Sequence, residues 1–559
     1  MSTLITPFQR LVRLLSMDRR ELGYIYLYAL VSGAINLTLP LGIQAIINLI
    51  SGGQIATSWG VLIAFVTIGV AFAGVMQILQ LTIGETIKQR LFARSAFDFA
   101  YRLPRLRAEA VQGRYLPELV NRFFDTLTIQ KGLTKVLIDV PVASLQIVLS
   151  LVLLSFYHPF FIAFGLFLVA LLYAIFRWTG MRGLRTSLEE SKYKYEVAFW
   201  LEELGRNMNT FKLAGRTRLA LDRTDQITSK YILARNGHFR VLLQQYGAMV
   251  FFKVIITVSL LILGGLLVMG EQMNLGQFVA AEIIILLVMA AVEKLTISIE
   301  AIYDVLTALE KIGNVTDLPL EQGGRVHIPA SAEGAAGMEV AFHGVAFRSP
   351  WTGQDVLGGI DLTIASGQKV CLSGPNGSGK TTLLQMIGGL VSPTSGTVGL
   401  DGHPLGSLDL DHARSMMGDS LNQDEVFSGT IEENITMGRP WVTPEDVRSA
   451  AERTGLADRI ARLPMGLMTP LDPNGTRLPR SLVKRVILSR CLASRPRLLL
   501  IEDDLSMFDP VDRDTLLHEL TAREAPWTLV LVSNDPAVQA RCERHLHLAG
   551  GKLIEIRHA

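Results

Sequence analysis

The residues of this 559-residue chain best suited to chemistry are Gly374, Pro375, Asn376, Gly377, Ser378, Gly379, Lys380, Thr381 and Thr382, which spell G-x-x-x-x-G-K-T and one further threonine. The apolar run "QKVCLS" precedes them, and the helical run "TLLQMIGGL" begins at Thr382. Glycines in such a loop let backbone N–H groups converge on a phosphate, and the helix start adds the positive end of its dipole. The lysine then reaches the β- and γ-phosphates, while the threonine hydroxyl ligates Mg²⁺. The strand–loop–helix setting separates this run from a chance match. It predicts ATP binding along Gly374–Thr382, with Lys380 on the phosphates and Thr381 on the metal.

Such a loop needs an α/β layer to hold it, and alternating strands begin after a Gly/Ala-rich linker, "PASAEGAAG", at 329–337. The first 300 residues read differently. The chain is 49% hydrophobic and 19% charged, and its long apolar runs lie in that N-terminal part. A helix needs about 20 apolar residues to cross a bilayer, and six stretches qualify: 22–50, 57–83, 137–157, 159–179, 246–270 and 276–299. The resulting division is an amphipathic N-terminal helix at 1–20, a six-span membrane domain at 21–318, a linker at 319–337 and a nucleotide-binding domain at 338–559. In the first segment Ile5, Phe8, Leu11, Val12 and Leu15 lie near one helical face beside Arg10 and Arg13, as in a helix lying on a membrane surface. No cleavable signal peptide is read there. A net charge of +2 without basic blocks gives no argument for nucleic acid. Cys371, Cys491 and Cys542 lack metal-type spacing and are expected as free thiols in a reducing cytoplasm.

Orientation follows from the connections. Ser51–Ser58 and Tyr157–Pro159 carry no acidic, lysine or arginine side chain, and the link at Glu271 carries one carboxylate. The two long connections hold the arginines, among them Arg102, Arg105, Arg107, Arg182 and Arg185. By the positive-inside rule the long links and both termini are cytoplasmic, which makes this a multi-pass protein of the inner (plasma) membrane. Helical spacing in "LEESKYKYEVAFWLEELGRN" predicts that the spans continue as helices beyond the lipid. They turn near Arg102–Arg107, where Pro104 breaks the pattern, and near Gly205–Gly215, where a soluble domain would be touched. Charge inside a membrane is costly unless paired, so Lys253 and Glu293, at similar depth, are predicted to pair. Glu282 either faces a substrate cavity or supports helix packing, and Pro40 is expected to kink the first span.

Six spans, two long cytoplasmic links and this loop, in this order, resemble an ABC exporter half-transporter, and the resemblance covers nearly the whole chain. "EVFSGTIEENI" (425–435) is similar to the stretch after the family's Q-loop, "RLLLIEDD" (497–504) to Walker B and "SMFD" (506–509) to the D-loop. The membrane half is most similar to the type I secretion and peptide-exporter branch, without the extra N-terminal peptidase domain that branch often carries. The implied fold is an all-α six-helix exporter domain fused to a cytoplasmic α/β P-loop domain. The implied assembly is a dimer in which each nucleotide lies between one copy's phosphate loop and the other's signature motif.

Several positions depart from the family pattern. Leu478-Pro479-Arg480-Ser481-Leu482 stands where the signature is usually L-S-G-G-Q, so Arg480 and Ser481 would contact the opposite nucleotide. The Walker B pair is Glu502-Asp503 rather than Asp-Glu, with Glu502 toward Mg²⁺ and Asp503 toward the attacking water. Exchanging them shifts each carboxylate by about a methylene, and positioning-dependent catalysis is sensitive to about 1 Å. Asn534 replaces the switch histidine and cannot carry a proton. Either Asn422 or Gln423 fills the Q-loop place near the metal. Trp351 lies two residues beyond the usual adenine-stacking aromatic. Because the Walker B and signature departures share one chain, a homodimer is favoured over a heterodimer. The expected function is export of a substrate, a peptide or protein by resemblance and with a periplasmic adaptor as a further partner, driven by ATP binding and slow hydrolysis. The alternative is a nucleotide-gated channel or regulatory membrane subunit.

Overall fold

The computed structural model describes residues 6–51, 57–111, 113–329, 337–350, 352–421, 426–475, 477–502 and 505–556. They form two compact units, Met1–Leu106 with Val111–Pro319, and Leu320–Ala559 with the short stretch Arg107–Ala110. Ile5, linker residues 330–336 and the first interspan link at 52–56 lie outside the described residues.

In the first unit, six helical stretches are long and apolar enough to cross a membrane. The first span is broken: Arg19–Asn36 ends at Leu37 and Thr38–Ser51 resumes. The expected kink is therefore present, three residues before Pro40 itself. A proline ring crowds the carbonyl of residue i−4 and offers no donor to it, so the helix yields at Asn36 and Leu37. The second span runs unbroken over Thr57–Arg102, and the third passes through a π-helical turn, Lys135–Asp139, into Val140–Ser155. Pro141 opens that last helix and again removes a donor. The fourth, Phe160–Arg206, and fifth, Leu219–Met269, have 47 and 51 residues, and the sixth is Leu275–Thr316. Asn274 and Gln277 close a capping box at the start of the sixth. The long links are helical as expected. They turn through Leu103–Arg105 with Ala108–Val111, and through Met208–Leu213.

Spans four, five and six share a polar seam. Gln245 Nε2 donates to Thr179 Oγ1 at 2.9 Å and to the Tyr303 hydroxyl at 2.7 Å, and the Ser187 and Thr307 hydroxyls meet at 2.8 Å. Such bonds join helices where lipid gives them no hydrophobic drive to associate. Small residues permit the approach, since a Cβ on Gly183 would lie 2.3 Å from the Tyr303 ring. Lys253 Nζ donates to Glu293 Oε2 at 2.5 Å, the predicted pair, and the next residue, Lys294, reaches Asp139 at 2.9 Å on the other side. Glu282 is exposed and makes no hydrogen bond or ion pair with any described residue. The helix Pro7–Ser16 buries Leu11, while Phe8 and Val12 stay exposed. Arg10 turns inward and forks onto Asp317 at 3.0 and 2.7 Å, anchoring this helix at the end of the sixth span.

The second unit is α/β. Its main sheet runs, edge to edge, Lys552–Ile556, Arg544–Ala549, Lys369–Ser373, Thr528–Val532, Leu498–Glu502 and Met417–Ser420. All neighbours are parallel except the terminal pair Arg544–Ala549 and Lys552–Ile556. A second, antiparallel sheet contains Val340–Arg348 between Asp355–Ile364 and Ser395–Leu400. Two apolar cores result. One lies between the two sheets and under the helix Lys380–Ile387, and the other surrounds the helix Arg480–Ala493.

Candidate nucleotide site

In an open parallel sheet, ligands gather at the carboxyl ends of the strands. Here Lys369–Ser373 delivers the glycine loop, Leu498–Glu502 ends on Glu502, and Thr528–Val532 runs into Ser533 and Asn534. The register aligns them, with Val532 opposite both Leu372 and Glu502. Together they line a cavity of 630 Å³ whose walls include Asn376, Gly377, Gly379, Lys380, Thr381, Thr382, Glu502 and Asn534.

The loop backbone needs its glycines. Gly374 and Gly379 have φ of +148° and +101°, and a Cβ on Gly374 would fall 2.2 Å from the Leu548 carbonyl oxygen. Behind it, Ser373 Oγ meets His545 Nε2 at 2.7 Å and His547 Nδ1 at 3.0 Å, which fixes the loop's first turn. Gly379 is the N-cap of the helix Lys380–Ile387 without a side-chain cap, so the first-turn N–H groups are left for a ligand. Ser378 Oγ is buried with no hydrogen-bond partner among the described residues. A phosphate would satisfy both sets of donors. Lys380 Nζ donates to the Gly374 and Pro375 carbonyls, each at 2.9 Å, and so lies along the loop. Burial draws its ammonium below the ordinary lysine range, and the charge of Glu502 opposes that shift.

Thr381 Oγ1 donates to Glu502 Oε1 at 2.6 Å. A hydroxyl and a carboxylate oxygen this close form the oxygen donor set that Mg²⁺ prefers, so the residues present fit the metal as well as the phosphates. Asn534 Oδ1 accepts the Gly374 N–H at 2.9 Å and ties the switch position to the loop backbone. Beside it, Asp535 caps the turn Pro536–Gln539, and its ion pair with Arg513 holds its carboxyl below the usual range. Val356 and Asp535 line the site but are not signalled by the sequence pattern. Val356 reaches it from the strand Asp355–Ile364, and Asp535 from the turn that follows Asn534.

Arg480 and Ser481 do not line this cavity. They open the helix Arg480–Ala493, which starts on Pro479 with no side-chain cap. Farther along, Arg485 is buried against Asp512 and the Thr454 carbonyl, and Arg490 donates to the Asn434 carbonyl at 2.7 Å, so both arginines hold the fold. Trp351, Asn422, Gln423 and Asp503 lie outside the described residues.

Comparison with known families gives two matches in series: the ABC transporter transmembrane region over residues 22–292, and the ABC transporter model over 357–505. The chain belongs to the ABC transporters. Over 98% of its length this ABC transporter is 26% identical to the ATP-dependent lipid A-core flippase of Burkholderia orbicola, covering 93% of that protein. It is 23% identical to the transport/processing ATP-binding protein ComA of Streptococcus pneumoniae over 97% of its own length and 75% of that protein. It is 28% identical to the mycobactin import ATP-binding/permease protein IrtB of Mycolicibacterium thermoresistibile, but over 63% of this chain and 60% of that one. The structure of a bacterial Atm1-family ABC exporter with ATP bound superposes with a TM-score of 0.78 at 20% identity, covering 96% of this chain and 94% of that one. The fold is therefore that of an ABC exporter half: a six-span helical membrane domain joined to an α/β nucleotide-binding domain.

Proposed function

We propose that two copies of this chain form an exporter of the inner membrane, with the nucleotide-binding domains cytoplasmic. ATP binding drives its movement, and slow hydrolysis resets it. The observation that supports this most directly is the 2.6 Å contact between Thr381 and Glu502 under an intact phosphate loop. Mg²⁺, when bound, would supply charge neutralisation between the β- and γ-phosphates. The chain's own residues would do the rest. Backbone N–H groups from Gly377 to Thr381 hold phosphate oxygens, Lys380 leaves the loop carbonyls for the phosphates, and Thr381 and Glu502 orient the metal. Asp503 is assigned to the attacking water, and Asn534 keeps the loop's first amide in place. Binding alone biases a two-state bundle if ATP prefers the closed state. Trp351 is assigned to the adenine, Arg480 and Ser481 to the partner copy's nucleotide, and either Asn422 or Gln423 to the metal's surroundings.

The resemblance to the peptide-exporter branch supports a peptide or protein cargo, with an adaptor as partner. The name of the lipid A-core flippase supports a lipid instead. Purified protein in liposomes tests the ATP reading. Lys380→Ala should abolish labelled-ATP binding, and Asp503→Asn should lower phosphate release below the parent's while leaving binding intact. Equal background release from parent and Asp503→Asn, with binding retained, would turn the assignment to a nucleotide-gated channel or regulatory subunit. ATP binding that survives Lys380→Ala would end both readings.

A further inference from the structure

The nucleotide cavity carries one carboxylate that its chemistry does not call for. Its charged lining residues are Lys380, Glu502 and Asp535. Lys380 serves the phosphates, and Glu502, 2.6 Å from the Thr381 hydroxyl, serves the metal. Asp535 has neither task, yet it lines the same space one residue beyond Asn534. A cavity of 630 Å³ is about 10 Å across if round, no wider than the Debye length at about 0.1 M salt, so a charge on its wall acts on a phosphate inside it. An uncompensated anion there would oppose a triphosphate.

Arg513 compensates it. This residue sits 22 positions earlier, in the helix Pro510–Thr521, and does not line the cavity, but its guanidinium pairs with Asp535 Oδ2. The pair is not one of several interchangeable contacts. Asp512 accepts from Arg485 and Arg459, and Asp514 from Arg541, so the aspartates on either side of Arg513 have arginines of their own. The other oxygen of Asp535 has a separate task, accepting the Ala537 N–H at 2.8 Å as the cap of Pro536–Gln539. We propose that Arg513 sets the affinity of the site for a triphosphate by neutralising Asp535 on the cavity wall. The inference rests on the cavity being the ATP site, and it adds a residue outside the cavity that acts through one inside it. The role is electrostatic rather than mechanical. An asparagine at position 535 keeps an acceptor for the cap and gives up the charge, so the two roles make opposite predictions for that change.

The full chain in nanodiscs is titrated with a fluorescent ATP analogue and Mg²⁺ at about 50 and about 500 mM NaCl. The two side chains are 25% and 31% exposed, so solvent screens the pair, and Arg513→Gln should raise the Kd about twofold to fivefold at low salt. The rise should shrink at high salt. Asp535→Asn should bind no more weakly than the parent, and the double variant Arg513→Gln/Asp535→Asn should return to the parent's Kd. Arg513→Lys keeps the charge and should bind as the parent does. The charge-exchanged variant Arg513→Asp/Asp535→Arg puts a cation on the wall and should bind more tightly than the parent. That variant also decides the matter if thermal unfolding shows that Arg513→Gln does not fold. Equal weakening by Arg513→Gln and Asp535→Asn would show a mechanical tie and overturn the proposal. So would an unchanged Kd in Arg513→Gln, a loss that salt does not reduce, or weaker binding in the charge-exchanged variant. Binding lost in Lys380→Ala beside a flat Arg513 series would sink this inference alone, whereas binding retained in Lys380→Ala would sink the ATP site with it.

Discussion

Replacing Asn534 by alanine separates two roles for the side chain at the switch position. Its Oδ1 accepts the Gly374 N–H at 2.9 Å, a neutral bond of good geometry. A neutral hydrogen bond contributes about 0.5–1.5 kcal/mol net. Because Asn534 is exposed, water can replace part of it, which keeps the loss near 0.5–1 kcal/mol. If the tether serves to hold the phosphate cradle in its binding shape, that loss appears in affinity. The Kd for ATP should rise about twofold to fivefold in Asn534→Ala, and turnover at saturating ATP should fall less than the affinity does. Titration of the full-length protein in nanodiscs with a fluorescent ATP analogue measures the first quantity, and phosphate release at saturation measures the second. An unchanged Kd with turnover reduced more than tenfold would refute the tether and return Asn534 to a direct role in hydrolysis. Asn534→Gln keeps the amide one methylene farther out and should give an intermediate Kd.

Three further outcomes follow from particular contacts. Gly374→Ala places a Cβ 2.2 Å from the Leu548 carbonyl at a φ of +148°. It should destabilise the nucleotide-binding domain by about 1–3 kcal/mol and abolish ATP binding, read by thermal unfolding and titration. Lys253→Met and Glu293→Gln each strand one charge of a pair whose side chains are about one-third exposed (32% and 38%). Each single change should cost about 1–2 kcal/mol and the double change less than either, in a double-mutant cycle of denaturation in mixed micelles; additive costs would show that the two charges do not interact. Asp446 has its pKa lowered to about 2, chiefly by the Arg495 hydrogen bond and against desolvation. A depressed carboxylate stabilises above its unfolded pKa and loses that effect as pH falls through the folded value. The stability difference between parent and Asp446→Asn should therefore be full at pH 6, shrink below about pH 4 and vanish near pH 2.

The membrane half was readable because hydrocarbon imposes one rule, long apolar helices, and the same rule made Lys253 and Glu293 legible as partners by depth alone. The phosphate loop was readable because its chemistry is local, with nine consecutive residues supplying turn, donors, lysine and hydroxyl. What escaped depends on chain crossing. Arg10 meets Asp317 across 307 positions, and Val356 enters the nucleotide cavity from a strand whose own sequence shows only alternation. In the N-terminal helix the spacing does not tell which apolar residues meet the rest of the chain: Leu11 is buried, while Phe8 and Val12 are exposed. Pro40 marked its kink but not the residue that gives way, because the crowded carbonyl lies a turn earlier.

The uninterrupted fifth span has a mechanical consequence. About 25 of its residues project past the bilayer, some 40 Å at 1.5 Å per residue. No proline interrupts that length, so it can act as a stiff lever with its fulcrum in the lipid. A swing of about 10° there would carry the far tip roughly 7 Å, more than one helical pitch of 5.4 Å. Modest separation of apolar surfaces near the bilayer could thus be driven by a large stroke in water, with the two displacements set by arm length alone.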